Sequence, residues 1–115
     1  MASLLVDGDV VTVSLSVAEK VEALHGDVSV PRAAVLSARV VPDGMEEIHG
    51  LKMPGTGLPG VIMVGTWRDG ESVTFAVCHG RRPAVVLDLA DQVYDRIVVT
   101  VENPETAVAA LDLRA

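Results

Sequence analysis

Period-two alternation opens the chain. Val10 to Ser16 sets Val and Leu against Thr and Ser at every second position, which predicts a strand with one buried face. Leu4 to Val6 is placed to pair with it across Asp7-Gly8-Asp9. The period then changes. Ser16 stands three residues before Glu19, the spacing of a capping box in which hydroxyl and carboxylate each take a main-chain N–H of the helix start. Val17, Val21 and Leu24 follow as one apolar stripe ending at Gly26. Residues 17–25 are therefore predicted as a short amphipathic helix, with the stripe as its expected buried side.

Val28 and Val30 indicate a brief strand stopped by Pro31, because proline has a fixed φ and no donor for a ladder. Leu36 to Val41 resumes as a strand. Residues 42–60 are rich in Gly and Pro with scattered apolar groups, which predicts the longest irregular segment of the chain. Val61 to Trp67 and Ser72 to His79 flank Arg68-Asp69-Gly70-Glu71, a hairpin whose Asp-Gly supplies the positive φ of a tight turn. After a turn at Gly80 to Pro83, Ala84 to Leu89 and Arg96 to Val101 read as further strands. Asn103-Pro104-Glu105 starts a helix, with Asn as cap, Pro at the first helical position and a carboxylate at the positive dipole end. Ala107, Val108, Ala110 and Leu111 are its expected packing side.

About seven short strands with a central hairpin and a terminal helix imply an antiparallel sheet that closes or folds over on itself. The expected class is mainly β, or α+β, in one domain spanning residues 1–115, a length that sustains one core. Half the residues are hydrophobic but only 3% are aromatic, so that core is aliphatic, with Trp67, Phe75 and Tyr94 its only large rings. Strand periodicity alone also allows a small sandwich.

Charge and composition narrow the chemistry. A net charge of −7 repels phosphate backbones and anionic lipid, which speaks against nucleic acid as a partner. The single cysteine, Cys78, forms no internal disulfide and suits a reducing compartment. The opening residues lack the basic leader and apolar run of a secretory signal. No apolar run approaches the roughly 18 residues of a membrane helix. The expected location is the cytoplasm, with no integral membrane segment.

A family likeness rests on Asp27-Val-Ser-Val-Pro31, on Gly50-Leu-Lys-Met-Pro-Gly-Thr-Gly-Leu-Pro-Gly60, on the hairpin, and on Tyr94-Asp-Arg-Ile-Val-Val-Thr-Val-Glu-Asn-Pro-Glu105. Over residues 27–111 the chain resembles small actinobacterial proteins similar to bacterial pleckstrin-homology-like domains. The resemblance implies a bent, seven-stranded antiparallel barrel or split barrel capped by a C-terminal helix. Such domains bind peptides, lipids or other subunits, and bacterial examples often form rings, so no catalytic residue carries over. The chain lacks the dense basic loop between the first two strands that lipid-binding relatives use.

Several motifs invite specific chemistry. Gly55-Thr-Gly57-Leu-Pro-Gly60 has the letters of a dinucleotide fingerprint, but a strand pattern follows where a helix is required. Cys78 and His79 are strand neighbours and point to opposite faces, which separates thiol from imidazole. His25, His49 and His79 show no ligand spacing, so no metal or other cofactor is expected. Asp7-Gly-Asp9 and Asp88 to Asp95 are acidic but lack the ligand ladder of a calcium loop. Arg81 and Arg82, with Arg68 and Lys52, form a candidate anion or small-ligand patch. Met45, Ile48, Leu51, Met53 and Trp67 form a candidate interface around the Gly/Pro-rich segment. The expected function is a non-enzymatic module that binds a protein partner or itself; a small-molecule or anionic-headgroup receptor built on the arginines is the alternative.

Overall fold

The computed structural model describes residues 1–111, which fold into nine strands and two α-helices. A three-stranded antiparallel sheet contains β1 (Ser3–Asp7), β2 (Val10–Ser14) and β3 (Val28–Pro31), with α1 (Val17–Ala23) inserted between β2 and β3. The second sheet contains β4 (Val35–Val41), β5 (Leu51–Leu58), β6 (Ile62–Asp69), β7 (Ser72–His79), β8 (Ala84–Leu89) and β9 (Arg96–Val99), in the order β4-β8-β9-β7-β6-β5. α2 (Pro104–Leu111) follows. The fold is mainly β, in two sheets with no closed barrel, and β7 and β9 run parallel. No helix among the described residues is long and apolar enough to cross a membrane.

Period two divides the large sheet into two buried faces. Val64, Phe75, Val77, Val85, Leu87, Ile97 and Val99 point inward, where they meet Val11, Val13, Val28 and Val30 of the small sheet and Leu111 of α2. The opposite face carries Ala76, Cys78, Ala84, Val86 and Val98, and Met45, Ile48 and Trp67 cover it. β7 is therefore buried on both sides from Val73 to Cys78, as its nearly unbroken apolar sequence requires. The hairpin forms as expected: Asp69 pairs with Ser72 across Gly70-Glu71, with Gly70 at φ +61°.

The expected antiparallel seven-stranded barrel needs correction: the nine strands divide between two sheets, and the crossover that brings β9 between β8 and β7 makes the β7–β9 pair parallel. Two further expectations differ locally. The segment 42–60 is not irregular throughout, because β5 occupies Leu51–Leu58. It lies at the sheet edge, where Pro54 costs no ladder bond, and the register slips between Lys52 and Gly55 to accommodate it. Gly55 then lies opposite Gly65. A Cβ on Gly65 would stand 2.5 Å from the Pro54 carbonyl oxygen, so these two glycines let the strands approach as no other pair would. In α2, Leu111 is buried and Ala107 and Val108 are half-buried, but Ala110 faces solvent. An eight-residue helix has too few turns to bury all four positions.

Candidate functional site

α1 is built as the sequence indicates and then turned the other way. The Ser16 hydroxyl accepts from Glu19 N–H (3.2 Å) and the Glu19 carboxylate accepts from Ser16 N–H (2.8 Å), completing the capping box. The second Glu19 oxygen lies 2.7 Å from His79 Nε2 on β7. Glu19 is only 1% exposed, and Ala23, one turn on, is buried beside it. Val17 and Val21 each stand two residues from Glu19, about 200° around the helix, and together with the cap residue Leu24 they face solvent, at 79%, 67% and 72% exposure. The stripe expected to be buried is the outer surface.

The cause is local. The capping box fixes Glu19 on the side that meets His79, and the Thr56 hydroxyl of β5 donates to the Glu22 carbonyl (3.0 Å), docking the helix on the sheet by its polar side. Burial raises the Glu19 pKa, but the hydrogen bonds from Ser16 N–H, His79 and the Ser16 hydroxyl outweigh it and hold the carboxyl below its ordinary value. Leu24 ends the helix in a left-handed conformation, φ 52°.

β5 and its turn extend the apolar surface. Leu51 is 78% exposed and Met53 42%, and Leu58 and Val61 are also exposed. Of the twelve large hydrophobics exposed among the described residues, seven belong to α1 with its cap and to the β5–β6 edge, namely Val17, Val21, Leu24, Leu51, Met53, Leu58 and Val61. The other three candidate interface residues lie elsewhere. Met45, Ile48 and Trp67 are buried against the outer face of the large sheet, and Gly60 N–H lies 3.2 Å from the Met45 sulfur. They brace the sheet and offer no surface.

The four candidate cations do not converge. Arg68 and the Lys52 main chain sit at one end of the β5–β6 pair, where Leu51 opposes Arg68 and Lys52 opposes Trp67, but the Lys52 side chain runs along β5 past Trp67 and brings its Nζ to 3.9 Å from where a Cβ on Gly57 would stand. Arg81 and Arg82 follow His79, which opposes Ile62 at the other end of β6, about 20 Å from Arg68 at the rise of a strand; the Lys52 ammonium over Gly57 lies toward that end, where Arg81 Nε stands 4.0 Å from a Cβ position on Gly60. Arg81 is engaged by Asp43 at 2.8 Å. Neither Lys52 nor Arg68 has a carboxylate partner among the described residues.

Other chemistry finds little support. Cys78 is fully buried, and burial pushes its thiol pKa up to about 12. His79 turns to the opposite face, toward Glu19. Among the described residues no group of three or more His, Cys, Asp and Glu is placed to hold a metal ion. The Gly55–Gly60 motif lies in β5 and its turn, and no helix follows it. Asp88 is a structural hub: it accepts from the Ser37 hydroxyl (2.8 Å), Arg39 (2.7 Å) and Arg96 (3.0 Å). Burial raises its pKa, but those bonds more than offset this and leave it lowered.

The sequence reading did not single out Glu19 and His79 as a pair, nor Leu58 and Val61. The capping-box spacing was the available signal for Glu19; nothing local announced that His79, sixty positions on, would meet it. No family model, no curated protein and no solved structure matches the chain.

Proposed function

We propose that the chain is a non-enzymatic interaction module that pairs with a second copy of itself through the face formed by α1 and β5. The outward turn of Val17, Val21 and Leu24 carries this reading. Their i, i+4, i+7 spacing is that of a packing seam, and a concentration of exposed apolar groups on one face is characteristic of a contact surface. An identical stripe is its natural complement. Lys20 and Glu22 flank Val21 on opposite sides of the stripe, so two stripes laid parallel about a two-fold axis set each lysine beside the other copy's glutamate.

The pleckstrin-homology-like likeness belongs to this proposal only for the scaffold role it implies, since the nine strands lie in two sheets and not in a closed seven-stranded barrel. The receptor reading lacks comparable support, because Arg81 is already paired with Asp43 and Arg68 lies at the opposite end of β6 from Arg81 and Arg82. Sedimentation velocity of the wild type, Val21→Asp and the Leu51→Asp/Met53→Asp double variant tests the proposal. A dimer with a Kd of about 10 μM or tighter, lost in each variant while the melting temperature at concentrations well below that Kd stays that of the wild type, supports it. A wild type that stays monomeric at about 100 μM, or a dimer indifferent to Val21→Asp, overturns it, and in the first case the face is left for a different protein.

A further inference from the structure

A second surface, independent of α1, lies along β3. The small sheet is ordered β1-β2-β3, so β3 leaves one edge unpaired. The direction of its main-chain groups follows from one bond: Arg32 N–H donates to the Asp9 carbonyl of the β2 side at 2.7 Å. Hydrogen-bonded pairs alternate along an antiparallel ladder. Val30 opposite Val11 and Val28 opposite Val13 therefore bond to β2, whereas Ser29, opposite Thr12, turns its N–H and C=O outward. Among the described residues neither Ser29 main-chain group has a partner; its hydroxyl alone is engaged, with Thr12 at 2.9 Å.

That edge is not bare. It forms one wall of a cleft of about 260 Å³, whose other wall is Gln92, Val93 and Tyr94. His25 stands at one end, its ring 5.3 Å from that of Phe75 and 6.1 Å from that of Tyr94. The far wall is tied to the chain just beyond β3 by Ala90 N–H donating to the Ala34 carbonyl (2.9 Å). A walled cleft beside an open edge admits one extended chain and excludes a second folded sheet. Asp27 at its mouth uses one oxygen to accept from Leu15 N–H (2.8 Å) and to meet Lys20 Nζ at 3.8 Å, and with its other oxygen, in a chain of net charge −7, it disfavours an acidic segment.

From this we infer that β3 captures an extended, non-acidic peptide segment of a partner protein by strand addition, with Ser29 N–H and C=O supplying the central pair of main-chain hydrogen bonds. The aromatic pair His25 and Tyr94 lines the site for the segment's side chains, and Pro31, which has no N–H, ends it.

Ser29→Pro removes the outward N–H together with the hydroxyl that meets Thr12, at an edge position where proline leaves the β2 ladder intact; Ser29→Ala removes the hydroxyl alone, so the difference between the two variants reports the N–H. Peptides selected on the full chain from a displayed library of random dodecapeptides serve as the probe. The expected result is a set of binders that shift the Ser29 amide resonance, weaken about ten-fold or more with Ser29→Pro and stay within about three-fold with Ser29→Ala. Should Ser29→Pro fail to fold, the Ser29 amide shift in the wild type decides alone. No selectable binder, or binders that leave the Ser29 amide and the proline variant unaffected, would overturn the inference.

Discussion

Replacing Glu19 tests whether a buried carboxylate fixes the orientation of α1. Glu19→Ala removes the acceptor of Ser16 N–H and of His79 Nε2. Hydrogen bonds to a charged group contribute about 1.5–3 kcal/mol each. The loss is smaller here because His79, 31% exposed in its side chain, can turn to water, and because alanine regains a few tenths of a kcal/mol of helix propensity. The net cost is about 2–3 kcal/mol, a fall in melting temperature of about 10 °C for a chain this size. Glu19→Gln keeps an acceptor for Ser16 but no charge. A carboxyl whose folded pKa is depressed contributes stability above its unfolded value, here 4.5, and loses it as pH falls through the folded value. Wild type should therefore exceed Glu19→Gln at pH 7, with the gap closing below about pH 4.5. Circular-dichroism melts from pH 7 to 3 measure both effects, and subtracting the Gln variant cancels the parallel contribution of Asp88. A Glu19→Ala cost under about 0.5 kcal/mol, or a gap that does not change with pH, would refute the reasoning.

Two further outcomes bear on the sheet. Gly65→Ala places a Cβ 2.5 Å from the Pro54 carbonyl oxygen at φ +146° and should destabilise the chain by about 2–3 kcal/mol in urea titration; a neutral result would mean that the β5–β6 approach is not tight. Cys78, with its thiol pushed up to about 12 by burial, should resist iodoacetamide at pH 8 until the chain unfolds, and modification at the rate of a free thiol would show that the outer face of the large sheet opens.

The strands that alternate or run apolar were legible: β2, the β6–β7 hairpin and β8 fall within a residue or two of their expected bounds. β5 was not, because its proline and glycines suppress every local strand signal, and only the paired β6, with Gly65 opposite Gly55, makes such a sequence extended. The stripe Val17, Val21, Leu24 was read correctly as a stripe. Its orientation was not legible, since it depends on His79, a tertiary contact. Met45 and Ile48 illustrate the converse: apolar residues of a breaker-rich segment, expected at an interface, become the lid of a second buried layer in which Trp67 of β6 also packs, in keeping with its expected place among the core rings. The cleft beside β3 left no mark in the sequence, because unpaired main-chain groups belong to topology and not to residue type.

The orientation of α1 is costly in itself, and this is what gives it functional weight. Burying a Val or Leu side chain stabilises by about 1.5–3 kcal/mol, so three aliphatics left in water forgo several kcal/mol, a large share of the roughly 5–15 kcal/mol that holds a domain together. The capping box and the contact with His79 offset part of that, but a small apolar residue at position 19 would dock the same helix face with no charge to bury. The polar side is turned inward and the apolar side is free at the same time, and only a partner that covers Val17, Val21 and Leu24 restores the missing burial. Association would then add stability as well as contact, so the melting temperature of the wild type should rise with concentration while that of Val21→Asp does not.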